Sequence, residues 1–213
     1  MGPSGVDPPA GTRQLVADLH AMCGVWHDHL RAFGPDGAEV ADDPHGGVPG
    51  PFPYDNLVYV DFDGATLTQT NVTFEGREPK VRTFESDLRD GVLHFRRLGP
   101  EAPRHVGVSG GPGIIWFVPG SWDEPGLGRY SEPDHIRLDG DRRCRTTVLY
   151  RFGPLVRTMF VEGRRLTTDT SRTHALDPRG ADAAVHEARD VTHHFAAGHT
   201  GHTDTGHTAQ GAP

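Results

Sequence analysis

An all-β protein built on an antiparallel sheet is what this sequence predicts, and three observations carry the expectation. Close-set runs rich in Val, Leu, Thr, Tyr and Phe, about ten in number, are separated by Gly, Pro, Asn and Asp between residues 24 and 165. Asp63-Gly64, between Leu57–Phe62 and Ala65–Phe74, is the strongest hairpin signal, because Asp-Gly supplies the positive φ that a tight turn needs. No alternation of strands with helices is present, which leaves an antiparallel barrel or sandwich.

Taken in order, residues 1–11 read as a flexible leader rich in Pro and Gly. Thr12 then caps a short helix to Met22, with Leu15, Val16, Leu19 and Met22 on one stripe and a stop at Gly24. A first strand follows from Gly24, with a Pro35-Asp36-Gly37 turn and a second short strand. Residues 44–56 form a long loop over one end. Further strands are expected at Pro79–Phe84, Val92–Leu98, His105–Ser109 and Ile114–Val118, then a Gly/Trp/Pro loop at Gly120–Glu132 and a strand at His135–Leu138. The globular domain is expected to run over residues 12–180. Residues 181–213 hold a weak helix at Asp182–His194 and a low-complexity tail of Gly-His-Thr repeats.

The chain from Asp139 to Arg165 reads as a hairpin about Gly153-Pro154. That centre sets Tyr150 opposite Arg157, Val148 opposite Met159 and Thr146 opposite Val161. Cross-strand neighbours share a face, so these six predict a mostly apolar face with one arginine. Arg143, Arg145, Thr147, Leu149 and Arg151 form the other face, which is expected to meet water.

Composition excludes several classes. The formal charge is −8, which opposes nucleic acid and anionic membrane surfaces as partners. Cys23 and Cys144 make neither a disulfide framework nor a metal cluster, and both are expected as core thiols. No apolar run is long enough to span a bilayer, and no signal peptide opens the chain, so a cytoplasmic location is expected. Nothing in the sequence fixes an oligomeric state.

Candidate chemistry is sparse. His27 and His29 lie two apart on a strand and share a face, but Trp26 must point inward, which puts the pair outside the core. Asp61–Gly64 lacks the later acidic ligands of a calcium loop, and Gly107–Gly113 lacks the following helix of a phosphate cradle. Histidines 193, 194, 199, 202 and 207 sit in a tail too polar to set one ligand geometry. No metal or cofactor is expected. His94, Trp116 and Tyr59 lie on apolar strands and are candidate ligand contacts.

Gly24-x-Trp26 after a short helix, Phe33-Gly-Pro-Asp-Gly37 beyond it, and the arginine-rich element at residues 139–157 carry a family resemblance. Over residues 12–165 the chain resembles the lipocalin or calycin group, and more closely a bacterial calycin-like family of unknown function related to phycobiliprotein lyases. The resemblance implies an antiparallel calycin-like barrel with a cavity for a small hydrophobic ligand. It also implies that Trp26 closes one end beneath a late-strand arginine, for which Arg157 is the candidate.

These readings converge on binding of a small, mostly apolar molecule inside the barrel, oriented by Arg157 and Tyr150. Alternatives are a cofactor-independent cyclase or isomerase on the same scaffold, or a maturation factor that transfers a chromophore. Sequence does not separate enzyme from carrier.

Overall fold

The computed structural model describes residues 9–41, 53–73, 80–96, 105–120, 132–151 and 153–170. The weak helix at 182–194, the His-rich tail and most of the 44–56 and 120–132 loops lie outside the described residues. One helix, α1 (Ala10–Met22), precedes ten strands: β1 (Gly24–Phe33), β2 (Tyr54–Phe62), β3 (Thr66–Thr73), β4 (Lys80–Arg89), β5 (Val92–Phe95), β6 (His105–Gly111), β7 (Ile114–Pro119), β8 (Asp134–Asp139), β9 (Arg142–Tyr150) and β10 (Leu155–Thr167). Each strand pairs antiparallel with the next, and β10 returns to β1, so the sheet closes into a barrel without a free edge.

Helix α1 stoppers one end. Leu15, Leu19 and Met22 are fully buried and pack with Trp26, Val58, Val60, Phe62, Leu67, Leu93, Ile115 and Ile136 from the inner wall. The helix starts three residues earlier than a Thr12 cap implies, with Pro9 at the N-cap and no side-chain cap; Thr12 lies within it. Buried Asp18 ties it to the β6–β7 turn by accepting the Gly113 amide at 3.0 Å. The expected short strand after Pro35-Asp36-Gly37 contracts to one isolated bridge, Phe33 to Glu39.

The Gly-x-Trp element is where helix and barrel lock. Gly24 has φ +129, and a Cβ there would stand 2.4 Å from the Thr167 carbonyl oxygen, so only glycine fits the close approach of β10. Trp26 is fully buried, and its indole N–H donates to the Met22 carbonyl at 2.8 Å. Arg165, its register partner on β10, lies over the ring with its guanidinium carbon 4.6 Å from the centroid. The same guanidinium donates to the carbonyls of Ala21 (2.6 Å), Cys23 (3.3 Å) and Gly140 (3.0 Å). Trp26 and Arg165 thus serve carbonyls at the helix C-terminus that have no intrahelical partner.

Arg157 is not the arginine on Trp26. It lies eight residues before Arg165 on one strand, roughly 26 Å away at the rise of an extended chain. The closing hairpin also differs from its expected register. Leu155 pairs with Tyr150, and a bulge then brings Arg157 opposite Leu149, Met159 opposite Thr147 and Val161 opposite Arg145. The one-residue shift exchanges the faces of β9. Arg143, Thr147 and Leu149 are buried on the inner wall, whereas Cys144 and Tyr150 are exposed on the outer one. Of the face expected to meet water, Arg143, Arg145, Thr147 and Leu149 line the barrel, and Arg151 alone is exposed as expected.

Replacing Arg165 by Met should keep the hydrophobic stem and lose three carbonyl contacts and the cation–π contact. About 1–3 kcal/mol of stability should go, because the part-buried Cys23 carbonyl is left unsatisfied and the cation–π contact is lost, while water replaces the arginine at the exposed Ala21 and Gly140 carbonyls. Urea unfolding measures the loss, and hydrogen exchange should place the largest fall in protection on the α1 amides. A change below about 0.5 kcal/mol would detach Arg165 from the helix dock.

Candidate functional site

The inner wall is layered by polarity. Next to the helix it is apolar. One layer further, Thr73, Asn56, Asp28, Gly163, Arg143 and Leu138 occupy one row across six strands. Asp28 and Arg143 form a bidentate ion pair, Nε to Oδ1 at 2.9 Å and Nη2 to Oδ2 at 2.6 Å, with both side chains essentially without solvent. The pair spans the strand between them because position 163 has no side chain: a Cβ there would stand 2.4 Å from Asp28 Oδ1 and 2.5 Å from Arg143 Cγ. Arg143 also lies against Trp26, its guanidinium carbon 4.7 Å from the ring centroid. Asn56 is buried in the same row, and its Oδ1 accepts no hydrogen bond among the described residues.

Towards the end away from α1 the wall mixes charge with apolar surface. Leu30, Val161, Arg145 and Ile136 form the next row, then Ala32, Met159, Thr147 and Asp134. Asp134 accepts from the Thr147 hydroxyl at 3.1 Å and pairs with Arg145 Nε. Arg157 follows, 3% exposed, with Nη2 at 3.7 Å from Glu132 Oε1. That separation is an ion-pair contact longer than a hydrogen bond. Arg145 and Glu132 each keep a quarter of their side-chain surface exposed, so solvent reaches the wall at this end.

Of the six residues singled out from sequence, only Trp26 and Arg157 face inward. Tyr150 is 38% exposed, which separates it from Arg157. Trp116 is 48% exposed on the outer wall, its ring 6.3 Å from that of His135. His94 is exposed on β5, where the inward position is Leu93. Tyr59 is buried but stands on the outward side of β2, between Val25 and Thr70. Aromatic character on an apolar strand does not report parity, and parity decides which side of a barrel a residue lines. Asp28, Arg143, Arg145, Asp134 and Asn56 were missed as wall residues; the alternation Arg143-x-Arg145-x-Thr147-x-Leu149 was their only local signal.

The His27/His29 pair does lie outside the barrel, on the same strand as inward Trp26, Asp28 and Leu30. Both rings converge on one carboxylate: Asp55 Oδ1 is 3.0 Å from His29 Nδ1 and 3.4 Å from His27 Nε2. Burial pushes Asp55 up, but hydrogen bonds from the two histidines outweigh it and hold its carboxyl well below the usual range. The hydrogen bond to Asp55 raises His29 above the ordinary imidazole value, against the pull of partial burial. Among the described residues no group of three or more His, Cys, Asp and Glu could hold a metal ion. No described helix is long and apolar enough to cross a membrane.

A raised folded pKa means that the His29–Asp55 contact stabilises fully below the unfolded value of about 6.5 and is lost as pH rises through the folded value. An NMR titration should therefore find His29 titrating above 6.5, and Asp55→Asn should return it towards that value. An unchanged His29 in the variant would remove Asp55 as the cause.

No family model and no curated protein matches the chain. Solved structures do. A protein of unknown function from the DUF3598 family of Nostoc punctiforme aligns with a TM-score of 0.52 at 17% identity, over 70% of this chain and 48% of that one. The chain therefore spans about half the length of that protein. The S-type phycobiliprotein lyase CPES from Guillardia theta aligns with a TM-score of 0.53 at 8% identity, over 76% of this chain and all of that one. At such identities the likeness is one of fold, and with the closed antiparallel sheet and its helical stopper it makes this chain a calycin-like barrel related in architecture to the phycobiliprotein lyases.

Proposed function

We propose that the barrel binds a small amphipathic molecule in its lumen, entering at the end away from α1. The observation that carries this reading is the composition of the inner wall there: Arg157, Thr147 and the Asp134–Arg145 pair beside Ala32, Leu149 and Met159. Stability alone does not favour such a lining, because apolar replacements for buried ion pairs are often neutral or stabilising. A ligand with an apolar body and a hydrogen-bonding or acidic group uses both kinds of surface. The proposal narrows the mostly apolar ligand expected from sequence to one with a polar end. It names Arg157 as the contact for that end, without Tyr150.

Transfer of a bound chromophore to another protein is the second reading, favoured by the likeness to a phycobiliprotein lyase. It needs the same lumen and adds a receiving partner. No specific observation favours a cyclase or isomerase. Nucleic acid and membrane have no part in the proposal.

Anilinonaphthalene sulfonate, apolar with one fixed anionic group, is a suitable probe. Its fluorescence should rise with one-to-one saturation, and native mass spectrometry should show one probe retained per chain. Arg157→Met should weaken binding tenfold or more while the melting temperature holds, because Glu132, its ion-pair partner, keeps a quarter of its side chain in solvent. No saturable binding by the parent, or equal binding by the variant, would overturn the assignment.

A further inference from the structure

The outer wall carries a second polar site that neither the lumen nor the fold explains. Two ladder rows bring it together across β8, β9, β10, β1 and β2. One is Arg137, Cys144, Glu162, His29 and Asp55; the next is Asp139, Arg142, Arg164, His27 and Leu57. All of these but Leu57, with Asp141 and the intervening Arg143 and Gly163, line a groove of about 1080 Å³.

Three arginines in this groove differ from three that are paired elsewhere on the surface. Arg31 pairs with Glu39, Arg89 with Asp87, and Arg96 with Glu85 and Asp87. Arg137, Arg142 and Arg164 make no ion pair or hydrogen bond through their side chains among the described residues, although the chain has 29 acidic residues to 21 basic ones. Arg142 and Arg164 are also direct cross-strand partners. Like charges directly opposite each other destabilise a sheet; Asp139, opposite Arg142 on its other side, offsets part of that cost, and a bound anion between the two arginines relieves the rest.

We propose that this groove binds a small phosphate-bearing molecule, with Arg142 and Arg164 clamping the phosphate and Arg137 one row away as a third donor. Guanidinium groups match phosphate oxygens in bidentate fashion, and two side by side on one face can both donate to one phosphate. His29 stands in the same row as Arg137, three strands away, and its proton offsets the Asp55 carboxylate at that side of the groove in mildly acidic solution. Glu162, Asp139 and Asp141 on the same walls repel any long polyanion, as does the net charge of −8. A compact phosphomonoester or diphosphate fits between the arginines, and a nucleic-acid backbone does not. The site faces away from the lumen, so it stands or falls separately from the ligand proposed there.

Calorimetry at pH 6.5 and fixed salt, with inorganic phosphate, pyrophosphate and phenyl phosphate as probes, tests the proposal. Pyrophosphate should bind saturably at one site per chain and more tightly than phosphate. Phenyl phosphate binding tighter than inorganic phosphate would assign the groove to an organic phosphomonoester; the reverse order would assign it to the free anion. The pair Arg142→Gln and Arg164→Gln, both exposed positions, should weaken pyrophosphate at least tenfold, whereas Arg31→Gln, outside the groove, should not. A second readout locates the ligand: Cys144 is exposed in the groove, so pyrophosphate should slow its alkylation severalfold. No saturable binding, binding unchanged by the double substitution, or alkylation of Cys144 unaffected at saturation would overturn it.

Discussion

The buried pair between Asp28 and Arg143 is the constraint on which the barrel's interior depends. Both charges have left water, and their desolvation is offset only because two hydrogen bonds of 2.9 and 2.6 Å join them directly. That contact requires a strand with no side chain between them, which fixes glycine at position 163. It fixes neighbours too. Arg143 lies against Trp26, Trp26 donates to the helix terminus, and Arg165 lies over the same ring while serving the adjacent carbonyls. Stopper, first strand and closing hairpin are therefore one connected unit.

From that layer the barrel has a polarity gradient along its axis. Beneath the helix the interior is packed with Leu, Met, Val, Ile and Trp, and contributes stability through apolar burial. Beyond the ion pair the inner wall carries Arg145, Asp134, Thr147 and Arg157 between apolar neighbours. The closed end stabilises the fold, and the other end carries the mixed lining on which the proposed ligand would draw. Charge on the outside is arranged differently, with Arg31, Arg89 and Arg96 neutralised locally and Arg137, Arg142 and Arg164 facing a groove.

Much of the architecture was legible because it rests on local periodicity. The stripe of Leu15, Leu19 and Met22 marks the helix, Asp63-Gly64 marks its hairpin, and the outward side of His27 and His29 follows from Trp26 pointing inward. Parity in the last hairpin was not legible. A bulge between Leu155 and Arg157 moves the register by one, and nothing in the alternation of β10 announces it. Chemistry reinforced the error: an alternating run of arginines suggests a solvated face unless the carboxylates waiting for it are known. For Arg143 that carboxylate is 115 residues away in the chain, a distance over which a single sequence gives no pairing signal. The same inversion moved Cys144 and Tyr150 outward and left Arg157 inside without the partner expected for it.

The most direct test of this account is a double-mutant cycle on the central pair, using Asp28→Asn, Arg143→Met and both together, followed by urea unfolding. Each single change should cost about 3–5 kcal/mol, because it leaves the other polar group buried without its partner. The double change should cost at least 1 kcal/mol less than the sum, within the range of roughly 0.5–3 kcal/mol seen for groups in contact. Losses that simply add, or singles that each cost under about 0.5 kcal/mol, would contradict a barrel interior organised around this contact.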